Sequence, residues 1–279
     1  MMMMKNKLFL IVLLAAFSFG CEEIPPVVGM DVTPIDPTEE QVKNVLIEEY
    51  TGVQCVNCPA GAALIDGMKQ QYGSRLVPIA VHAGGFAFPI SGASTQVFFN
   101  TSTNAYMNFV GTPLAYPAAN VDRKLFDSQL DIIQGASDWA ASVAERLEEE
   151  LLVEVFITSE YDDSNRTADV TVDLNPLASV DHEDLILTVV LLEDGIVDAQ
   201  ITPDGTDLEY VHKHVLRDFF TSTNGNSIAP LQVGNVVSNE FSLVLNEDFV
   251  AENCEVVAFV SRGGADKEVF QVNAVHLIE

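Results

Sequence analysis

Two cysteines separated by two residues, Cys55 and Cys58, are the clearest chemical feature of the chain. They follow residues 45–50, an apolar and acidic run that predicts a β-strand, and precede a small-residue run that predicts a helix. Within one helical turn the two sulfur atoms lie close enough to form a disulfide, and a cysteine at a helix N-terminus has its thiolate stabilised by the helix dipole. The spacing therefore predicts a thiol–disulfide exchange site, in which Cys55 attacks a substrate and Cys58 resolves the mixed disulfide.

A permanent structural disulfide between Cys55 and Cys58 is the alternative, because disulfides persist in exported proteins. A zinc site is not favoured, since the chain contains neither a second C-x-x-C nor an H-x-x-H motif. The sequence accordingly predicts neither a metal nor another cofactor.

Histidines offer further candidate chemistry. His82 follows the second predicted strand, on the side of the sheet where the dithiol is expected, so it either contacts the site or is an ordinary loop residue. His212 and His214 are two residues apart and share one face of an extended strand, but no third metal ligand is evident. Arg217 and Asp218, close by in the sequence, are predicted to stabilise the second half of the chain locally.

The remaining cysteines have different predicted roles. Residues 1–21 contain two lysines, an apolar run and small residues before Cys21, a pattern typical of a signal peptide. The segment resembles a bacterial lipoprotein signal, in which the cysteine becomes the lipidated first residue; an ordinary cleaved signal peptide is the alternative. Residues 22–42, rich in proline and acids, predict a flexible tether. Cys254 lies in an apolar run and is predicted to be a buried, unreactive thiol rather than a resolving cysteine.

Two regions with different secondary-structure patterns follow the tether. Residues 43–150 alternate strands and helices. The predicted elements are strands at 45–50, 76–81 and 118–121 and helices at 60–72, 95–110 and 128–150. Residues 151–279 consist of short β-branched or alternating runs separated by turn signals such as Asp-Gly and Asn-Pro, which indicate an antiparallel β-sandwich. A domain boundary is therefore expected near residue 150.

The first region resembles a thioredoxin-like domain, since a strand, a C-x-x-C motif at the start of a helix, a second strand and a proline before a further strand follow one another. The resemblance implies a cis-proline that faces the dithiol. Pro117 is preferred because it leads directly into a strand, and Pro113 is the alternative. The residue before it, Tyr116, would offer backbone groups to a bound substrate. The resemblance also implies a buried acid six residues before the first cysteine, where Glu49 would accept the proton of Cys58.

Some positions depart from the thioredoxin-like pattern. Gln54 replaces the usual tryptophan before the first cysteine, and Pro59 follows the second. The dipeptide between the cysteines also differs from those of common reductases and oxidases, so the direction of electron flow is not predicted. Glu48, beside the expected buried acid, should face the opposite side of its strand.

The whole chain resembles the Omp28-related outer-membrane lipoproteins of Bacteroidetes-type bacteria. The motifs that carry the resemblance are Glu-Glu-Tyr-Thr-Gly at 48–52, Cys-x-Asn-Cys-Pro at 55–59, Asn-x-Asp-Arg at 120–123 and Tyr-Val-His-Lys-His-Val-Leu-Arg at 210–217. The implied fold class is an α/β thioredoxin-like domain followed by an all-β, immunoglobulin-like antiparallel sandwich domain. The implied address is the outer membrane, and the acidic pair Glu22 and Glu23 resembles the flank of surface-exposed lipoproteins.

Composition limits the partners. The 279 residues carry a net charge of −28 at pH 7, which repels nucleic-acid phosphates and anionic lipid, so neither partner is expected. The predicted function is thiol–disulfide exchange on exported proteins, by an envelope protein anchored to the outer membrane through an N-terminal lipid. The alternative is a non-catalytic outer-membrane lipoprotein with a structural disulfide, which binds a protein or glycan partner.

Overall fold

The computed structural model describes residues 41–127 and 129–278. The predicted signal peptide, its Cys21 and the predicted tether up to residue 40 lie outside the described residues. The α-helices are α1 (Cys58–Tyr72), α2 (Thr101–Val110) and α3 (Trp139–Arg146). The strands before residue 150 are β1 (Val45–Thr51), β2 (Leu76–His82), β3 (Ala118–Val121) and β4 (Ile133–Gln134). The later strands are β5 (Val153–Asp162), β6 (Thr167–Pro176), β7 (Leu185–Glu193), β8 (Ile196–Thr202), β9 (Gly205–His212), β10 (Val215–Phe219), β11 (Asn226–Ser227), β12 (Val237–Val244), β13 (Cys254–Arg262) and β14 (Val269–His276).

β1 and β2 form the centre of a large mixed sheet, and every residue of both strands is buried. The two strands run parallel, with Val45 opposite Leu76 and Thr51 opposite His82. β3 pairs antiparallel with the other edge of β1, and β10 pairs in parallel with β2. The largely apolar sequences of the two central strands match this burial on both faces.

The large sheet crosses the boundary predicted near residue 150. Its strand order is β14-β13-β7-β10-β2-β1-β3-β4, with β11 beside β7. The predicted fold class, an α/β thioredoxin-like domain followed by an immunoglobulin-like sandwich, is therefore wrong, because the described residues are mostly strand with few helices and both halves contribute to one sheet. Local patterns report that a strand is buried but not which strand lies beside it, so the pairing of β10 with β2 left no local signal. The domain ranges themselves stay a prediction.

A three-stranded sheet, β12-β6-β5, packs against part of the large sheet. Along β6 the alternate residues Val170, Val172 and Leu174 are buried, and they belong to one apolar cluster with Leu187 and Leu191 of β7. This period of two is the pattern of a strand with one covered face. β8 and β9 form a separate two-stranded ribbon, which extends over the dithiol as described below.

Helices cover the two faces of β1 and β2. α2 packs its Tyr106 in the same apolar cluster as Leu46 and Tyr50, whereas α1 and α3 pack in the cluster of Val45 and Ile47. Because successive strand residues point to opposite faces, the two adjacent glutamates of β1 meet different helices.

Helix α1 begins two residues earlier than the sequence predicted, whereas the other two helices are shorter than predicted. α2 occupies only the end of the predicted helix at 95–110, because Asn100 caps its start. The Asn100 side chain accepts a hydrogen bond from the Thr103 backbone N–H, and the Thr103 hydroxyl oxygen accepts one from the Asn100 backbone N–H. The helix predicted at 128–150 is reduced to α3, since part of that segment forms β4 beside β3.

Candidate functional site

The two cysteines of the C-x-x-C motif form a disulfide, with an S–S distance of 2.09 Å and a Cα–Cα distance of 5.4 Å. Helix α1 begins at Cys58, with Asn57 as its N-cap and Pro59 in its first turn. Cys55 lies in the turn before the helix, so the second cysteine, and not the first, occupies the helix N-terminus. Cys55 is 3% exposed and Cys58 is 2% exposed, which places the bond beneath the surface.

The loop that carries Cys55 is fixed by backbone hydrogen bonds. The Cys55 N–H donates to the Gly52 carbonyl (2.9 Å), and the Gln54 N–H donates to the Phe86 carbonyl (2.9 Å). A Cβ atom at position 52 would lie 2.4 Å from the Phe86 carbonyl carbon, so only glycine permits this approach. The Gln54 side chain donates to the Phe88 carbonyl (2.8 Å). Gln54 therefore connects the loop of Cys55 with the loop that contains Phe86 and Phe88.

The β8–β9 ribbon lies over the same loop. The Gln200 side-chain nitrogen donates to the Cys55 carbonyl (3.0 Å), and the Ile201 N–H donates to the Val53 carbonyl (2.8 Å). Sequence reasoning missed Gln200, because no local pattern connects it with a loop 145 residues earlier.

Glu49 lies on the face of β1 that meets helix α1. Gly61 stands one turn after Cys58, and a Cβ atom there would lie 2.7 Å from Glu49 Oε1 and 2.9 Å from Pro117 Cβ. The absence of a side chain at Gly61 thus lets the helix, the acid and the proline converge. Burial raises the pKa of the Glu49 carboxyl to about 8, and the negative charge of Asp66 adds to the rise. Within the described residues, Glu49 Oε1 has no hydrogen-bond partner.

The Tyr116–Pro117 peptide bond is cis and leads into β3. The Tyr116 hydroxyl donates to the Ala83 carbonyl (3.0 Å), and the Tyr116 ring lies 5.4 Å from the Phe86 ring between centroids. The structure thus brings four of the predicted site residues together, namely Cys55, Cys58, Glu49 and Pro117. The catalytic and substrate-binding roles of these residues stay predictions.

Two buried histidines lie beside the dithiol. His82 ends β2 and His212 ends β9, with ring centroids 5.7 Å apart and the Phe98 ring against both. They line a cavity of about 50 Å³ that Glu49 and Cys58 also line. Burial lowers the pKa of His82 to about 3 and that of His212 to about 4, so both rings are neutral at pH 7.

His214 does not continue the strand that His212 ends. Its φ of +53° breaks the extended conformation, which removes the basis for a shared histidine face. His214 instead meets Asp194 and Glu255, and one potential ligand atom from each lies within 4.8 Å of the others. The Lys69 ammonium interacts electrostatically with both carboxylates and offsets part of their charge.

Arg217 and Cys254 make structural contacts within the second half of the chain. Arg217 Nε lies 3.2 Å from a Glu193 carboxylate oxygen, and its guanidinium covers the Phe249 ring at 4.3 Å. Cys254 is fully buried, its Sγ donates to the Val250 carbonyl, and burial raises the pKa of its thiol to about 12. Both arrangements agree with the local structural roles predicted from the sequence.

The Asn-x-Asp-Arg segment at 120–123 forms buried ion pairs. Arg123 donates to both carboxylate oxygens of Glu48 (2.8 and 2.9 Å), and the Tyr106 hydroxyl donates to the same carboxylate. Asp122 accepts from Lys43 Nζ (2.6 Å) and Arg146 Nε (2.8 Å). The prediction that Glu48 faces away from Glu49 is confirmed, and this motif is structural.

The fold and site define a predominantly β-sheet protein with a buried C-x-x-C disulfide. The chain belongs to the Omp28 family, described as outer membrane protein Omp28, whose family profile matches residues 103–279. This confirms the family resemblance recognised from the motifs. The matched range begins after the dithiol, so family membership itself says nothing about Cys55 and Cys58.

Two solved structures show a similar fold, HBP35 and a structural-genomics protein. HBP35 of Porphyromonas gingivalis superposes with a TM-score of 0.67 at 16% identity, over 85% of this chain and 76% of that chain. A structural-genomics protein from Agrobacterium tumefaciens gives a TM-score of 0.53 at 12% identity, over 86% of this chain and 97% of that chain. A domain of the P. gingivalis outer membrane lipoprotein Omp28 is 24% identical over 45% of this chain and 88% of that chain, with a TM-score of 0.31. No curated protein sequence matches the chain.

Membership in an outer-membrane family supports an address in the bacterial cell envelope. In the part of the chain that the structure describes, none of the helices has the length and apolar character needed to cross a membrane.

Proposed function

We propose that this Omp28-family protein performs thiol–disulfide exchange on exported proteins through Cys55 and Cys58. The observation that carries the proposal is Glu49, a buried carboxyl beside the dithiol with a pKa raised to about 8. Groups that transfer protons near neutral pH need such perturbed values, and they occur mostly at functional sites. The nearby Glu48, which serves an ion pair, has the pKa of its carboxyl lowered instead.

The exchange takes place in two steps. A substrate thiolate attacks Cys55 Sγ, the Cys55–Cys58 bond breaks, and Cys58 leaves with the proton that Glu49 carries at neutral pH. A second substrate thiolate then attacks the substrate sulfur of the mixed disulfide and releases Cys55 as a thiolate. The substrate loses two electrons and gains a disulfide, and the protein becomes a dithiol. In the reverse direction a substrate disulfide is reduced, and the Glu49 carboxylate accepts the Cys58 proton.

Substrate would bind beside Tyr116 and Pro117. The exposed Phe86 ring lies against the Tyr116 ring, and Val56, between the two cysteines in the sequence, is also apolar and exposed. Exposed apolar groups beside a reactive bond suit an unfolded exported polypeptide.

A lipid on Cys21 would hold the protein at the outer membrane. Labelled palmitate should enter the wild-type protein and not the Cys21→Ala variant. Equal label in both would refute lipidation at this residue.

A static structural disulfide in a protein that binds a protein or glycan partner is the second candidate. The burial of both cysteines favours it, since reactive cysteines are usually partly exposed.

Trapping separates the two candidates. The Cys58→Ser variant leaves Cys55 free to attack but unable to release its partner, so mixed disulfides with envelope proteins should accumulate. Cys55→Ser, which keeps one cysteine of the same motif, is the matched control and should trap nothing. No adduct with Cys58→Ser, together with a reduction potential below about −300 mV, would overturn the exchange proposal in favour of the static disulfide.

A further inference from the structure

Four buried polar atoms without a hydrogen-bond partner among the described residues belong to residues that line one cavity. They are Glu49 Oε1, His82 Nδ1, His212 Nε2 and His214 Nδ1. His214 Nδ1 lies 3.4 Å from Asp194 Oδ1, whereas the residues of the other three atoms are 4%, 2% and 4% exposed. Buried polar groups in proteins are almost always hydrogen-bonded to protein or to water, so these three atoms at one cavity call for a common partner.

The cavity has room for water. Its volume is about 50 Å³, and a buried water molecule needs roughly 10–15 Å³ on the same measure. The cavity therefore has room for more than one water molecule. Polar lining from Thr51 and Gln200 adds to the two imidazoles and the carboxyl.

The cavity also reaches a solvent-facing ion pair. Lys213 Nζ lies 2.7 Å from Asp66 Oδ2, both side chains are partly exposed, and both residues line the cavity. At its inner end the cavity touches Cys58 and Glu49. It thus links the buried acid with the protein surface under the β8–β9 ribbon.

We propose that this cavity is a water-filled proton path, in which His82 and His212 hold the water that carries the Glu49 proton to solvent beside Asp66 and Lys213. A neutral imidazole has one donor and one acceptor nitrogen, so it can bind water and pass a proton along without becoming charged. The inference rests on the proposed exchange reaction for its purpose, because Glu49 must gain or lose a proton at each turnover. The two histidines are positioning residues, since they act on Glu49 through water.

Other charged or titratable groups influence the path. They are Asp66 and Tyr210 near Glu49, Arg217 near His82, and Asp198 near His212. All of them stay unchanged in the variants below.

Deuterium exchange at the Glu49 carboxyl tests the path in the disulfide form without substrate. At about pH 6.5, ordinary carboxyls are ionised and Glu49 is protonated, so its infrared C=O band is identified by its loss in Glu49→Gln. After mixing into D₂O, the band should shift about a hundredfold faster than the β1 amides exchange, because those amides need structural opening. Exchange of carboxyl and amides at one common rate in the wild-type protein would overturn the proposal.

Histidine variants test whether the two imidazoles belong to the proton path. His212→Leu and His82→Leu should each slow carboxyl exchange by about tenfold or more, because leucine provides no hydrogen bond for water. His212→Gln keeps a polar group at the same place and should stay within about twofold of wild type. Wild-type exchange rates in folded leucine variants would remove the histidines from the path. If a leucine variant does not fold, the comparison of carboxyl and amide exchange in the wild-type protein still tests whether the path exists. Since no substrate is present, failure of the trapping experiment would leave this result unaffected.

Discussion

Glu48 and Glu49 are neighbours on β1 and both are buried, yet their surroundings are opposite. Burial alone would raise the pKa of Glu48, but the Arg123 guanidinium and the hydrogen bonds of its carboxylate hold that pKa below the usual value. Within the described part of the chain no cation offsets the burial of Glu49, and this burial raises the pKa of its carboxyl to about 8. The same residue type is therefore ionised on one face of the strand and protonated on the other at neutral pH.

The difference follows from the packing of the two faces. The α2 face contains Tyr106 and Arg123, which together satisfy Glu48. The α1 face offers Glu49 the backbone of Gly61, the Pro117 ring and a polar cavity. Removing a fully paired buried carboxylate leaves its partner charge uncompensated, whereas an unpaired carboxyl remains available for chemistry at a cost in stability.

The largest expected change in the free energy of unfolding comes from removing the charge of Glu48. Glu48→Gln should lower the free energy of unfolding by about 3–5 kcal/mol at pH 7, because it leaves the buried Arg123 charge uncompensated. Urea unfolding measures the change. The control is Glu160→Gln, an exposed glutamate on β5, which should change little. A loss below about 1 kcal/mol in Glu48→Gln would contradict the assigned role of the pair.

Replacing the unpaired Glu49 should raise the free energy of unfolding, by an amount that depends on pH. The carboxyl of Glu49 titrates near its ordinary pKa when unfolded and at about 8 when folded. Between these values the folded state holds the extra proton, so the free energy of unfolding falls as pH rises from about 4.5 to about 8. Glu49→Gln should remove this fall and gain on the order of 3 kcal/mol at pH 9, with almost no gain at pH 4.

Unfolding curves across this pH range measure the gain, with Glu160→Gln expected to follow wild type. A pH-independent difference between Glu49→Gln and wild type would show that Glu49 has an ordinary pKa.

The histidines of the cavity should set the acid limit of stability. The folded pKa values of about 3 for His82 and about 4 for His212 lie below that of an unfolded histidine. The unfolded state therefore gains protons first, and stability is lost as pH falls from about 6.5 towards 3. His212→Gln should reduce this loss in the free energy of unfolding by on the order of 2 kcal/mol at pH 4. Parallel acid-unfolding curves for wild type and variant would refute the role of His212 in the acid loss of stability.

The smallest expected effect is at the solvent end of the cavity. Lys213→Ala removes an ion pair with Asp66 whose side chains are partly exposed. Such pairs contribute roughly 0–1 kcal/mol and are screened by salt. Urea unfolding at low and high salt should therefore differ little between wild type and variant, and a larger loss would mean that the ribbon depends on this contact.

Much of the local site could be predicted from the sequence. The strand before the motif, the helix after it, the opposite orientation of the two glutamates and the preference for Pro117 all depend on residues close together in the chain. Strand alternation and helix-start signals act over a few residues, so they can be read directly.

The residues that the second half of the chain contributes near the dithiol could not be predicted in the same way. Gln200, which bonds to the Cys55 carbonyl, and His212, which meets His82, come from a ribbon far along the chain. Their sequence fits an ordinary hairpin, and no local pattern says what a hairpin covers.

The sequence by itself determined which segments form buried strands, where the dithiol lies and which protein family the chain belongs to. The tertiary structure alone decided that β10 completes the edge of β2 and that the β8–β9 ribbon closes over Glu49. The physical reason is that burial is encoded by local residue types, whereas strand partners are chosen by the summed packing and hydrogen bonding of distant segments. That choice made Glu49 a buried acid beside a polar cavity.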